Sequence, residues 1–88
     1  MALEDRIREV EARTGKPIVV RGVRSDEPDF RGRLIARKGY YVVEYRDNVP
    51  GYFWHVPIIE ELLRLIEQGQ GSITLLEGNR QFMDVPLD

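Results

Sequence analysis

The sequence contains no cysteine, only two lysines and a single histidine among its 88 residues. The absence of cysteine excludes disulfides, thiolate metal ligands and cysteine nucleophiles. No apolar run reaches the roughly 18 residues that a membrane-spanning helix needs, and the charged N-terminal segment lacks the apolar stretch of a signal peptide. We therefore expect no membrane segment, and we predict a cytoplasmic protein by elimination.

Catalytic and cofactor motifs are also missing. Neither a P-loop nor a G-x-G-x-x-G sequence is present, and the few serines and threonines lie in no recognisable nucleophile motif. The lone His55 has no companion for a metal site, since the HVPIIEE segment does not match H-E-x-x-H. The sequence predicts no catalytic residue, no metal and no cofactor, so we expect a protein that is not an enzyme.

The composition that is present indicates one folded domain over residues 1–88. Hydrophobic residues make up 42% and charged residues 32% of the chain, a balance that argues against disorder. The formal net charge is −2, whereas a dedicated nucleic-acid binder usually carries a basic excess.

Periodicity and turn signals predict two helices and four to five strands. The helices are expected at 3–13 and 57–68, and the strands at 17–23, 30–37, 40–46, 72–77 and 81–85. This order, α-β-β-β-α-β-β, predicts an α+β fold with a small antiparallel sheet and helices on one face. An SH3-like barrel decorated with helices is the alternative.

A two-residue turn at Lys38-Gly39 predicts a hairpin and therefore a register for its two strands. One face is expected to enter the core and the other to be mostly polar. The predicted core face carries Phe30, Leu34, Ala36, Tyr41, Val43 and Tyr45. The opposite face carries Arg31, Arg33, Ile35, Arg37, Tyr40, Val42, Glu44 and Arg46.

The segment from Gly51 to Gly69 is the most distinctive part of the chain, because an aromatic run precedes a helix that is apolar on more than one side. Two interpretations are open: a central core helix anchored by an aromatic staple, or a helix with one exposed edge that binds a partner. The second interpretation predicts a partner-binding set of Tyr52, Trp54, Ile58, Leu62 and Leu65.

Several arginines are expected on the polar sheet face, where they would suit an anionic partner if they are not simply solvated. The predicted anion or nucleic-acid contacts are Arg31, Arg33, Arg37, Tyr40 and Arg46.

Three functions follow from these patterns. The first is a non-catalytic interaction module that forms a homodimer, or binds another protein, through helix 57–68 and the aromatic segment 52–55. The second is a nucleic-acid-binding accessory domain that uses the arginines. The third is a small ligand-binding protein or enzyme with His55 at an aromatic pocket.

Overall fold

The computed structural model describes residues 2–48, 55–77 and 80–83, the last four as backbone only. The elements are α1 (Leu3–Thr14), β1 (Ile18–Val23), β2 (Phe30–Ala36), β3 (Tyr41–Arg46), α2 (His55–Glu67), β4 (Ile73–Leu76) and β5 (Arg80–Met83). The α+β class and the order α-β-β-β-α-β-β are confirmed. The aromatic residues 52–54 and the end of the last predicted strand lie outside the described residues, as do residues 49–51 and 78–79.

The five strands form one open sheet in the order β1-β3-β2-β4-β5, with β1 and β5 at the edges. An open sheet excludes the barrel alternative. The prediction of a wholly antiparallel sheet is wrong for β1, which pairs parallel to β3. The parallel pair arises because β3 returns from the hairpin into the space between β1 and β2, and there it runs in the direction of β1.

The hairpin between β2 and β3 has the register that its two-residue turn predicts. Leu34 pairs with Val43 and Ala36 with Tyr41. The Arg37 amide donates a hydrogen bond of 3.0 Å to the Tyr40 carbonyl, which closes the turn. The turn residues therefore fix which side chains of both strands share a face.

Phe30 does not lie on the core face as predicted, because β2 contains a bulge. Phe30 pairs with Leu76 and Gly32 with Leu75, so β2 has one extra residue, Arg31, at this point. The extra residue reverses the alternation and turns Phe30 toward the side of Arg33. The Arg33 guanidinium accordingly lies 5.6 Å from the centre of the Phe30 ring.

The core is built around α2, which begins at His55 and therefore two residues earlier than predicted, with Pro57 in its first turn. Both helices pack on one face of the sheet, and their apolar side chains join those of the strands in one cluster. Six apolar residues of α2 are buried: Ile58, Ile59, Leu62, Leu63, Leu65 and Ile66. Burial of each such side chain contributes roughly 1.5–3 kcal/mol of hydrophobic stabilisation, so this helix dominates the core.

Gly32 allows α2 to approach the sheet closely. A Cβ atom at this position would lie 2.7 Å from the Glu44 carbonyl oxygen and 2.7 Å from Cγ2 of Ile58. Both neighbours are held in place, one by the backbone of β3 and the other by a fully buried side chain. The absence of a side chain at Gly32 therefore sets the distance between the two layers.

An ion cluster joins α1 to the end of α2. Glu67 accepts hydrogen bonds from Arg6 and from Arg13, the latter at 2.5 Å. The hydrogen bond from Arg6 lowers the pKa of Glu67 below its usual value, with smaller contributions from the charges of both arginines. α1 ends at Thr14, one residue beyond its predicted end, and Gly15, whose φ is 72°, forms its C-terminal cap.

We expect Gly32→Ala to destabilise the domain by about 1–3 kcal/mol, because its methyl group would collide with the layers it separates. Urea unfolding followed by circular dichroism measures the change. Gly39→Ala is the matched control, since a Cβ there meets no atom within 4 Å. Equal stability of the two variants would contradict the close approach.

We expect Glu67→Gln to lower the melting temperature at neutral pH and to flatten its dependence on acid pH. A lowered pKa in the folded state means that Glu67 stabilises the protein above the ordinary glutamate pKa, and that this contribution is lost as the pH falls through the lowered value. Melting temperatures measured between about pH 7 and pH 3 test this, with Glu4→Gln on the exposed side of α1 as the control. Parallel curves for the wild type and Glu67→Gln would contradict it.

Candidate functional site

The sheet face opposite the helices, hereafter the open face, carries both apolar and charged side chains. Strand alternation and the pairing register place alternate residues of β1, β2, β3 and β4 there, and the bulge adds Phe30. The alternate residues are Val19, Arg21, Val23, Arg33, Ile35, Val42, Glu44, Arg46, Thr74 and Leu76.

A row of charged residues crosses the open face over three adjacent strands. Glu44 of β3 lies between Arg21 of β1 and Arg33 of β2, and each is its register partner. Arg21 Nε donates to Glu44 Oε2 at 2.8 Å and Nη2 lies 2.6 Å from the same oxygen, while Arg33 Nη1 lies 3.8 Å from Oε1. The Glu44 side chain is only 7% exposed, so this carboxylate is neutralised inside the protein.

Phe30 and Arg33 form the second part of the site. Phe30 is 7% exposed although it lies outside the main core cluster, and the Arg33 guanidinium lies over its ring. Arg33 Nε is buried and has no hydrogen-bond partner, a rare condition that the cation–π contact offsets only in part. Arg33 thus contacts a carboxylate on one side and an aromatic ring on the other.

The loop between β1 and β2 borders this part of the face, and Asn48 fixes its position. Asn48 Nδ2 donates to the Ser25 carbonyl at 2.8 Å, and its Oδ1 accepts from the Ser25 amide at 3.2 Å and from Arg46 Nε at 3.0 Å. Two concavities of about 320 and 600 Å³ lie between the loop and the sheet and share the lining residues Glu27, Phe30 and Arg33. The loop therefore forms concavities at one end of the open face.

The predicted partner-binding residues of α2 are not on the surface. Ile58 and Leu62 are fully buried and Leu65 is 3% exposed, because the sheet and α1 pack against this helix. The structure therefore corrects the expectation of an exposed helix edge. Tyr52 and Trp54 lie outside the described residues, so their role stays a prediction.

The predicted arginine set is spread over the sheet rather than gathered at one place. Arg31 and Arg46 lie at one end of the hairpin and Arg37 and Tyr40 at the other, about 20 Å away for strands of this length. Arg46 donates to Asn48 and to the Pro28 carbonyl, and Arg31 and Arg37 also have partners. Tyr40 is 42% exposed. Arg33 is the one member of this set that lies in the ionic row.

His55 lies in the first turn of α2, where its half-buried ring is 5.3 Å from that of Tyr45 and tilted by 35°. In the part of the chain that the structure describes, no carboxylate forms an ion pair with it, and it does not line the two concavities beside Phe30 and Arg33. Its aromatic neighbour suits a structural histidine, and the catalytic hypothesis stays a prediction.

Residues 2–48, 55–77 and 80–83 contain neither a metal-binding cluster nor a membrane-spanning helix. No group of three or more histidine, aspartate or glutamate side chains in these ranges could hold a metal ion. None of the helices within them is long and apolar enough to cross a membrane.

Sequence analysis missed Arg21 and Phe30 as members of the site. Arg21 alternates with Val19 and Val23, which is a visible signal for its face, but the parallel pairing that brings it to Glu44 has no local signal. Phe30 was assigned by strict alternation, which the bulge breaks.

We expect Glu44→Gln to cost about 1–2 kcal/mol of folding stability, because it keeps the shape of the side chain but removes the charge that two arginines share. Chemical denaturation measures the loss. Glu27→Gln, an exposed glutamate on the neighbouring loop, is the control and should change stability by about 0.5 kcal/mol or less. If both variants are equally stable, the ionic row contributes no more than an ordinary surface pair.

Comparisons with known proteins give no match to this chain: none among protein-family models, none among curated proteins and none among solved structures.

Proposed function

We propose that the protein is a non-catalytic interaction module that forms a homodimer by packing the open faces of two copies against each other. The observation that carries the proposal is the combination, on the sheet face opposite the two helices, of aliphatic side chains with a charge row that is already neutralised internally.

The apolar part of the open face supplies the driving force for association. Val19 is 47% exposed and Ile35 is partly exposed, and their shared register partner Val42, which is already buried within the domain, lies between them. Burial of Val19 and Ile35 removes apolar surface from water, which is the main favourable term in most protein association. Helix α2 is fully engaged within its own domain, so the interface belongs to the sheet.

The charged row makes the face easier to dehydrate. An isolated charge is costly to remove from water, and a carboxylate that is already buried against two guanidinium groups has lost most of its hydration before a partner arrives. Arginine is also enriched at protein interfaces, where its long side chain packs as well as pairs.

The distribution of charge favours a second copy as the partner. Arg21 is exposed on the β1 side of the face, whereas Glu27 and Asp29 are exposed on the opposite side, beside β4. A two-fold axis that lies in the interface and runs along the strands places the β1 side of one copy over the β4 side of the other. Arg21 of each copy then faces the acidic loop of its partner.

The size of the sheet indicates a weak dimer. Five strands span roughly 24 Å and six residues roughly 20 Å, which gives an interface at the small end of the range for specific complexes. We expect dissociation in the micromolar range.

The nucleic-acid hypothesis has less support. The predicted arginines are separated along the sheet and engaged within the chain, and acidic side chains border the concavities. We also propose a cytoplasmic location and a function that needs no cofactor, as the sequence predicts.

We expect Val19→Glu to raise the dissociation constant of the dimer at least about tenfold, because it replaces exposed apolar surface with a charge that faces the acidic loop of the partner. Sedimentation velocity over a concentration series measures the change. Ala12→Glu is the matched control, since it introduces the same residue at an exposed position of α1 in the other layer.

A wild-type protein that stays monomeric at high micromolar concentration would overturn the dimer. Equal weakening by both variants would place the interface elsewhere. Binding of oligonucleotides at about 50 mM salt, with loss on raising the salt, would favour the arginine hypothesis instead.

A further inference from the structure

The outer edge of β1 presents backbone groups that the sheet does not use. The Tyr41 amide donates to the Pro17 carbonyl and the Asp47 amide to the Val23 carbonyl, each at 2.9 Å. These two bonds lie at the two ends of the parallel ladder between β1 and β3. In such a ladder, every second residue of one strand forms hydrogen bonds to the adjacent strand. Residues 17, 19, 21 and 23 therefore bond to β3, and the N–H and C=O groups of residues 18, 20 and 22 point away from the sheet.

Helix α1 closes one end of this edge. The Ile18 amide donates to Glu11 Oε2 at 2.7 Å, so its outward donor is satisfied. Val20 and Gly22 have no such partner among the described residues, so each of them keeps one outward donor and one outward acceptor. These four groups match one side of a short extended segment.

The edge carries few of the features by which proteins block strand addition. β1 has no proline and no lysine, its pairing with β3 shows no bulge, and its one charged residue, Arg21, is turned to Glu44. Val19 beside it is one of only two large apolar residues that are exposed in the described part of the chain.

Carboxylates stand at both ends of the free stretch. Glu11 lies against Ile18, and Asp47 lies over Gly22, where a Cβ would be 3.0 Å from Asp47 Oδ2. Antiparallel pairing of two β1 strands about Val20 would set Ile18 opposite Gly22 of the other copy, and so bring Glu11 close to the Asp47 carboxylate. Like charges therefore disfavour self-pairing and favour a partner with basic side chains.

We propose that the outer edge of β1 is a strand-addition site for an extended basic segment of a partner protein. The partner's backbone bonds to Val20 and Gly22, and its lysine or arginine side chains meet Glu11 and Asp47. The site lies at the edge of the sheet and the proposed homodimer uses the face, so the two can be occupied together.

A short peptide of alternating lysine and valine, compared with its glutamate–valine counterpart, tests the site. Amide exchange followed by NMR on the full chain should show slower exchange at Val20 and Gly22 with the basic peptide and no change with the acidic one. Basic-peptide binding without protection of these two amides overturns the edge assignment, and equal binding of both peptides overturns the charge argument.

Val20→Pro removes the central outward donor without removing a bond to β3, and it should abolish peptide binding. Val20→Ala loses the same packing but keeps the N–H group, so it should bind like the wild type. Retained binding by Val20→Pro would overturn the proposal, and so would dissociation of the homodimer by this variant, because the edge would then belong to the dimer.

A charge variant gives a second readout that does not depend on proline being tolerated. Asp47→Lys, at an exposed position, should weaken binding of the basic peptide at least threefold, whereas Asp26→Lys in the neighbouring loop should not. Equal effects of the two variants would mean that the basic peptide is attracted by the net charge of the protein, which would contradict a site at β1.

Discussion

The burial of α2 between the sheet and α1 is the constraint on which the rest of the structure depends. Six apolar side chains of this helix are buried, and Gly32 gives it room to lie close against β2 and β3. Most of the buried apolar side chains among the described residues therefore lie on one side of the sheet. The other side of the sheet carries fewer apolar side chains, mixed with charged ones. Binding by this fold therefore has to use that mixed face or the edges of the sheet.

The ionic row and the bulge together give the open face its character. Glu44 would be an unfavourable residue at the centre of a sheet without Arg21 and Arg33. Those two come from β1 and β2, which follow each other in the chain but are separated in the sheet by β3, the strand of Glu44. The bulge then adds Phe30, which gives Arg33 an aromatic surface to lie on. The surface that we propose for self-association therefore depends on long-range pairing more than on any local motif.

Local signals in the sequence predicted the helices, the strands and the register of one hairpin. They did not predict the features that depend on pairing between distant segments. The turn at Lys38-Gly39 fixed the hairpin, and apolar spacing located both helices to within two residues. Nothing local indicates that β3 enters beside β1, because strand order is decided by which pairs cover α2 best. The same limit applied to the site: the sequence left open whether Leu65 lies in the core or on an exposed partner-binding edge, and only the packing of the structure shows that it is buried.

Through the contact between Glu11 and the Ile18 amide, helix α1 satisfies one backbone donor at the outer edge of β1. Opening of α1, even for a short time, would release that amide and lengthen the unpaired edge by one bonding residue. The aggregation tendency of the folded protein is thus tied to the integrity of its first helix. Changes that loosen α1, such as loss of its ion pairs with α2, would therefore lower the solubility of the protein under conditions in which the domain as a whole is still folded.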